Sequence, residues 1–561
     1  MTTTPRVGRG SEPDRDVVIV GAGFAGVAML HRMRQLGFRA RVIESAGGVG
    51  GVWYWNRYPG ARCDVESLDY SYSFDPELEQ EWHWTERFAP QSEILAYINH
   101  VVDRFSMSED ISLNTRVERA VFSEHDGSWT VTTDDGEEIT TTYLVMATGT
   151  LSVAKFPDVE GLEDFSGDWY HTGQWPHEHV DFTGKRVGII GVGSSGTQMV
   201  SPVSEEADHL YVFQRTPNFC VPGPNAPMDS EYEQSVKSNY RARRDFTRQT
   251  ASGLNRDMHR QSALAVSEEE RNAHYEEAWN NAGFGFVLSY SDLLISEEAN
   301  RTASDFIAGK IRQIVKDPDV AQRLIPTDYP YGAKRPSVDS RYYESFNRDN
   351  VTLVDIRSAP IERITHAGIR TTEAEYELDA IVFATGYDAM TGALSRIEFV
   401  GRDGKTLADK WAAGPRTYLG IASAGFPNLF ILAGPGSPSV LTNVMVSIEQ
   451  HVEWLSDFLV AARDAGIKAI EAELDAEDRW VEHVNELAAA TLYPQANSWY
   501  LGADVPGKPR VFMPYSGGLR AYRRMCASVK EEGYKGFTLT ARDETRAEDG
   551  VGPLPTTAER A

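Results

Sequence analysis

The sequence predicts an α/β protein made of two Rossmann-like units with a helical insertion. Three observations carry this. A buried strand, a glycine-rich turn and an apolar-periodic helix follow one another at Gly21, Gly23 and Gly26, and again 170 residues on at Gly191, Gly193 and Gly196. A long, charged, helix-rich stretch over residues 224–329 interrupts the second unit. Buried strand patterns then return at 351–355, 380–386 and 428–433.

Bulk properties narrow the class. The chain has 561 residues, which at ~100–200 residues per domain gives two to four domains. Hydrophobic content of 41% with 24% charged residues reads as soluble and globular. A formal net charge of −27 argues against nucleic acid or an anionic membrane as a main partner, because both need a basic face. Any anionic ligand must then be drawn in by helix ends and local Arg or Lys. The cysteines, Cys63, Cys220 and Cys526, contain no C-x-x-C pair, so neither a zinc ribbon nor a redox dithiol is expected, and no metal site is read. Sparse cysteines suit a reducing, cytoplasmic location. Val17 to Leu30 is broken by three glycines and is shorter than the ~20 residues of a membrane span. It follows a charged lead and does not read as a signal peptide.

Residues 1–15 are polar and read as disordered. Asp16 to Val20 is a buried parallel strand. In the turn that follows, Gly21 permits the tight bend, Gly23 lets backbone N–H groups approach a diphosphate, and Gly26 lets helix and strand pack closely. The helix over 27–36 offers its positive end to the phosphates. The next strand, 40–44, ends in Glu44, 18 residues beyond Gly26. A carboxylate there accepts from ribose hydroxyls and repels a 2′-phosphate, so this site suits FAD or NAD. The run from Gly50 to Asp64 carries Trp53, Tyr54 and Trp55 between Gly50-Gly51 and Tyr58-Pro59-Gly60. Its flat side chains suit the wall of a flavin ring in a shaped loop, and equally an ordinary core. Asp64 reads as a carboxylate on an exposed loop. Residues 112–140 alternate as a small antiparallel insertion turning at 134–136. The strand at 143–149 ends in Ala-Thr-Gly.

The second unit starts with a strand at 184–190 and a helix from Thr197. Its second strand, 209–215, ends not in an acid but in Gln214, Arg215 and Thr216. A cation and a neutral hydroxyl are what a 2′-phosphate needs, so this site reads as NADPH rather than NADH. By itself Arg215 is also compatible with a solvated surface arginine. In the insertion, Ser267 to Glu270 fits a capping box, and Phe306, Ile307, Ile311, Ile314 and Val315 form a helical stripe that packs on a neighbour. Lys334 and Arg335 lie in a Gly/Pro loop just before the chain returns to α/β pattern. The strand at 428–433 is expected to rejoin the first unit, followed by a helix over 450–463. The tail from 541 reads as disordered.

Between the two glycine turns lies Phe165 to Pro176, a linker able to connect two dinucleotide sites. It fits Phe-x-Gly-x-x-x-His-x-x-x-Trp-Pro through Phe165, Gly167, His171, Trp175 and Pro176. The run ending at Asp64 fits Gly-Gly-x-Trp-x-x-x-x-Tyr-Pro-Gly-x-x-x-Asp. Together these resemble the signatures of type I Baeyer–Villiger monooxygenases, nearest the phenylacetone and steroid monooxygenase branch, over roughly residues 14–540. The resemblance implies FAD and NADPH as cofactors and a ketone and O2 as substrates. NADPH reduces FAD, oxygen adds at the flavin C4a carbon, and the peroxide attacks a carbonyl to give an ester or lactone. It further implies Arg335 as the catalytic cation and Asp64 as its partner. His171 takes a positional role.

The expected FAD contacts are Gly21, Gly23, Phe24, Ala25, Gly26, Glu44, Gly51, Val52, Trp53, Trp55, Asp64, Tyr70 and Val117. Those for NADP are Arg62, Gly191, Gly193, Ser194, Ser195, Gly196, Thr197, Gln198, Arg215, Thr216, Lys334 and Trp499. The apolar loop 437–445, with Leu441 and Val444, resembles the family's ketone-contacting loop; core packing is the alternative for both side chains. The implied organisation is FAD-binding over 14–150 and 386–540, NADPH-binding over 151–223 and 330–385, the insertion at 224–329 and a tail at 541–561. Other readings are a flavin-dependent N- or S-monooxygenase, an NADPH oxidase or reductase, and a redox-sensing flavoprotein with a partner protein.

Overall fold

Four consecutive apolar residues, Val17 to Val20, can be buried on both sides only in the middle of a sheet. The computed structural model, which describes residues 13–339 and 341–542, places them there. Arg15–Val20 pairs in parallel with Ala40–Ile43 on one side and Glu138–Met146 on the other. Ile111–Ser112 extends the parallel part beyond Ala40–Ile43. On the other flank, Glu138–Met146 pairs antiparallel with Ser128–Thr133, which pairs antiparallel with Val117–Ser123. The upper half of Glu138–Met146 instead receives Leu429–Ile431 in parallel, so the late strand does rejoin the first sheet. Glu398–Val400 closes the far edge beside Val117–Ser123. The antiparallel part thus continues the main sheet.

The second sheet is wholly parallel, in the order Val351–Asp355, His209–Gln214, Arg186–Ile190, Ala380–Phe383, Asp168–His171. Its last strand lies within the linker, which therefore forms one edge of this sheet. The helix Phe24–Gln35 follows the first glycine turn and Ser194–Glu206 the second, each beginning earlier than its apolar period suggests. The helix Val444–Asp464, longer than its predicted core of 450–463, packs on Phe24–Gln35 in the largest apolar cluster.

The chain leaves the second sheet through Cys220–Val221 and returns through Ser337–Val338, and these short strands pair in parallel. Between them lie five α-helices among the described residues, including Tyr240–Thr247, Glu268–Asn281 and Glu297–Ile314. Ser267 caps Glu268–Asn281 by accepting from the Glu270 amide. The predicted stripe is internal: Ile307, Ile311 and Val315 are buried in the second sheet's cluster, and Phe306 and Ile314 pack against it. The insertion serves both cores, since Val236 and Tyr240 belong to the first cluster and Tyr275 to the second.

Of the ends read as disordered, residues 1–12 and 543–561 lie outside the described residues. Asp14 does not fit that reading: its carboxylate accepts from the amide and hydroxyl of Thr140, continuing the strand pairing. Ala541 ends a strand, Phe537–Ala541, paired with Ile467–Ala472. Among the described residues no helix is long and apolar enough to cross a membrane.

Candidate active site

The two glycine turns meet the same constraint. A Cβ at Gly21 would lie 2.6 Å from the Ala147 carbonyl oxygen, and one at Gly191 2.6 Å from that of Ala384. Both residues also have left-handed φ, 105° and 104°. A Cβ at Gly26 or Gly196 would lie 3.5 and 3.2 Å from the Ala147 and Ala384 methyls, so the small Ala of each Ala-Thr-Gly lets the turn press against the strand end. The middle glycines differ. A Cβ at Gly193 would meet no protein atom within 4 Å, and one at Gly23 would make only ordinary contact with Gly51. The space above each turn is left to a ligand, so both turns fit a dinucleotide diphosphate.

Glu44 is buried, and its two oxygens accept from the amides of Ala22 and Ala46, each at 2.7 Å. It therefore braces the turn itself; Oε1 also accepts from the Ser45 hydroxyl at 3.3 Å, which leaves Oε2 with a lone pair for a ribose hydroxyl. Val117 packs in the same cluster as Val20 and Ile43.

Trp53, Tyr54 and Trp55 belong to a single helical turn, Val52–Trp55, rather than to the irregular loop read from the sequence. Gly51, with φ of 57°, starts it, and the tyrosine ring fills the space over Gly47 and Gly48. Trp53 donates to the buried Tyr70 hydroxyl at 3.0 Å. The stretch that follows leans on the second unit. A Cβ at Gly60 would lie 2.3 Å from the Gln198 carbonyl oxygen. The Tyr58 hydroxyl donates to the Gln198 side chain at 2.9 Å, and the amide of that side chain donates to the Arg62 carbonyl at 3.2 Å. A cleft of about 210 Å³ opens beside them, lined by Tyr58, Arg62 and Gln91 among others. The Arg62 guanidinium is held by Glu86 at 2.9 Å and the Phe88 carbonyl at 3.0 Å.

Arg335 and Asp64, 271 residues apart, meet in an ion pair. Arg335 donates twice to one Asp64 oxygen, at 2.7 and 3.2 Å, and its third bond goes to the Val440 carbonyl at 2.8 Å. The side chains are only 19% and 24% exposed, so Asp64 is not the solvated loop carboxylate its sequence context suggests. The Phe284 ring, from the insertion, lies 4.3 Å under the guanidinium. Burial works against this charge, but Asp64 and the facing Tyr500 hydroxyl outweigh it and raise the Arg335 pKa further above its ordinary value. Burial in turn pushes Tyr500 up to about 12. Phe284 and Tyr500 carry no pattern in the sequence that separates them from core aromatics.

The predicted ketone loop reaches this pair through Val440. Leu441 ends the 3-10 turn Ser439–Leu441, Val444 starts the long helix, and both are half-buried. Ser439 has φ of 32°, a strained value for a residue with a side chain. Trp499 packs against the cluster of Ala389, Met390 and Met513, its ring 4.5 Å from that of Tyr500.

The linker ties these parts together. His171 is buried, and burial pushes its pKa down to about 4, so it is neutral. Its Nδ1 accepts from the Gly173 amide at 3.0 Å, which leaves Nε2 to donate to the Lys155 carbonyl at 3.3 Å. The Lys155 ammonium holds Asp504 at 2.9 Å, on the loop that carries Trp499. The Trp175 amide donates to the Trp55 carbonyl at 3.2 Å. Phe165 is buried in the second sheet's other face, and a Cβ at Gly167 would strike the Asp379 carbonyl at 2.4 Å. Pro176 follows Trp175 half-buried.

On the second strand end, Gln214 is buried and uncharged, Arg215 is exposed, and Thr216 is half-buried. The Lys334 ammonium lies 4.4 Å over the Tyr329 ring, its pKa lowered by burial and by the charge of Arg215. Helix Ser194–Glu206 begins after Gly193, with Gly196, Thr197 and Gln198 buried and Ser194 and Ser195 nearer the surface. The three cysteines are free and buried, and burial pushes each thiol up, so none is a thiolate.

Two dinucleotide turns, one ending its second strand in an acid and the other in a cation, define a flavoprotein oxidoreductase fed by a pyridine nucleotide. A family profile described as pyridine nucleotide-disulphide oxidoreductase matches residues 18–279. A Baeyer–Villiger monooxygenase of Pseudooceanicola batsensis is 43% identical, over 95% of this chain and 97% of its own. A phenazine N-monooxygenase of Lysobacter antibioticus is 42% identical, over 93% of this chain and 97% of its own. The solved structure of an oxidized steroid monooxygenase bound to NADP is 52% identical with a TM-score of 0.91, covering 94% of this chain and 99% of that one. The chain belongs to the Baeyer–Villiger monooxygenase family. It is an FAD- and NADPH-dependent enzyme that inserts one atom of O2 next to a ketone carbonyl, giving an ester or lactone.

Proposed function

We propose that Arg335 and Asp64 are the catalytic pair of this monooxygenase. The supporting observation is their half-buried ion pair, closed by Val440 and Phe284. Bound FAD, reduced by NADPH, supplies the activation of oxygen. Arg335 supplies a cation that persists at every working pH, and three of its five N–H donors are spent on Asp64 and Val440. The remaining donors serve the Tyr500 hydroxyl and the reacting oxygen. Asp64 aims the guanidinium and balances its charge, and the aromatic wall of Phe284 and Tyr500 keeps water from it.

FAD is held over Gly21, Gly23 and Gly26, with Glu44 at the ribose and Val52 to Trp55 along the ring. NADPH lies over Gly191, Gly193 and Gly196, with Arg215, Thr216 and Lys334 at its 2′-phosphate and Trp499 at its far end. The ketone sits against Leu441 and Val444. Residues 14–150 with 386–540 form the FAD unit, and 151–223 with 330–385 the NADPH unit, a division that follows the two sheets. Three buried free thiols suit a cytoplasmic setting.

Arg335→Ala should still be reduced by NADPH but form ester at least ~100-fold more slowly, with the reducing equivalents recovered as hydrogen peroxide. Wild-type ester yield in that variant would remove Arg335 from the mechanism. A second reading, oxygenation of an amine nitrogen, is favoured by the phenazine N-monooxygenase relative. Offering a cyclic ketone and an aromatic amine to the same preparation, with product masses measured, separates the two.

A further inference from the structure

Arg357 belongs to none of the motifs above. It lies just beyond the strand Val351–Asp355, whose last residue is in register with Gln214. The Ile356 amide donates to the Gln214 carbonyl at 3.0 Å, so the two strand ends leave the sheet side by side. The Arg357 guanidinium then reaches across. Its Nε donates to the Arg215 carbonyl at 3.1 Å and one terminal nitrogen donates to the Thr216 hydroxyl at 3.1 Å. The same nitrogen forms an ion pair with Asp328.

We propose that Arg357 is a positioning residue that makes this enzyme selective for NADPH over NADH. This rests on the reading of Arg215, Thr216 and Lys334 as the 2′-phosphate subsite. A threonine hydroxyl has one proton to give. When it accepts from Arg357, that proton points elsewhere and is free to bond an anionic oxygen. The bond to the Arg215 carbonyl fixes the backbone from which that exposed side chain starts, lowering the entropy lost when it closes on a phosphate. Asp328 takes up the charge of Arg357, so the fork serves its neighbours rather than the ligand. Arg215 and Lys334 remain as the two cations for the phosphate. Lys334 already pays for burial beside Arg215, and an arriving anion relieves both charges.

The test compares holoenzyme variants by the ratio of kcat/KM for NADPH to that for NADH. Arg357 is about half exposed, so its replacement leaves the core intact. Arg357→Leu should lower the ratio about tenfold, through KM for NADPH. Arg357→Lys should recover only part of it, because a point charge cannot span a carbonyl and a hydroxyl at once. Combined with Thr216→Val, Arg357→Leu should lower the ratio by less than the product of the single effects. An unchanged ratio in Arg357→Leu, or an equal fall for both nucleotides, overturns the proposal. Arg215→Ala decides what falls with it: if that variant shifts the ratio, only the role of Arg357 is lost. If it does not, the phosphate subsite itself is misassigned.

Discussion

The two glycine turns are near copies in backbone but finish in opposite ways. At the first, the second strand ends in Glu44, buried and bonded to two amides of its own unit. At the second, the matching place holds neutral Gln214, whose side-chain amide donates to the Arg323 carbonyl at 2.8 Å, followed by exposed Arg215. One site is braced from within before any ligand arrives; the other keeps its charge at the surface for the ligand to complete. This suits a cofactor that stays and one that comes and goes with each turnover.

The largest effects should come from the turns themselves. Gly21→Ala should yield colourless protein without FAD, whereas Gly191→Ala should stay yellow with KM for NADPH raised by roughly 100-fold, since each Cβ collides with a strand carbonyl and strains φ. Absorbance spectra and steady-state kinetics read both, and loss of flavin from Gly191→Ala would break the separation. Next come the strand ends. Glu44→Ala strands the amides of Ala22 and Ala46, costing about 1–3 kcal/mol for each buried group, and should lower thermal stability and flavin retention. Gln214→Glu should cut the preference for NADPH about tenfold by placing an acid beside the phosphate subsite, and should also lower thermal stability, because a buried carboxylate cannot donate to the Arg323 carbonyl. Loss of flavin from Gln214→Glu, or an unaltered nucleotide preference in it, would erase the contrast.

The smallest effect concerns acid. Burial depresses His31 and His171 to about 4 and His451 to about 3, below the ordinary 6.5. As pH falls from about 6.5, the unfolded chain takes up protons that the folded chain refuses, so stability present at neutral pH is lost on the way down. His31 and His451 lie on helices of the first unit and His171 in the second sheet. The first unit should therefore be the more acid-sensitive. His31→Phe, between Phe74 and Phe105, should flatten the decline by up to about 1.4 kcal/mol per pH unit. An unaltered pH slope would show that its titration is not coupled to folding.

Much of the frame was legible because it depends on local constraint. The turns demand glycine, the central strands demand unbroken apolar runs, and Leu429–Ile431 announces its burial by composition. What escaped depends on partners far along the chain. Nothing near Asp64 shows by itself that Arg335 will cover it, a pairing that the family resemblance alone implied, and nothing near Phe284 marks it as the floor under that guanidinium. The edge strand Asp168–His171 exists because Ala380–Phe383 accepts it, two hundred residues later. Arg357 looked like any arginine after a strand because its meaning comes from the neighbouring strand's end.

The short ladder between Cys220–Val221 and Ser337–Val338 gives the fold a modular joint. The 115 residues between Val221 and Ser337 depart from and return to adjacent points, so the exposed loops of this cassette can change in length while the sheet order stays as it is. Arg335 stands two positions ahead of that joint. Its reach toward Asp64 is thereby anchored to the sheet, and variation in the cassette can reshape the chamber around the guanidinium without dislodging it.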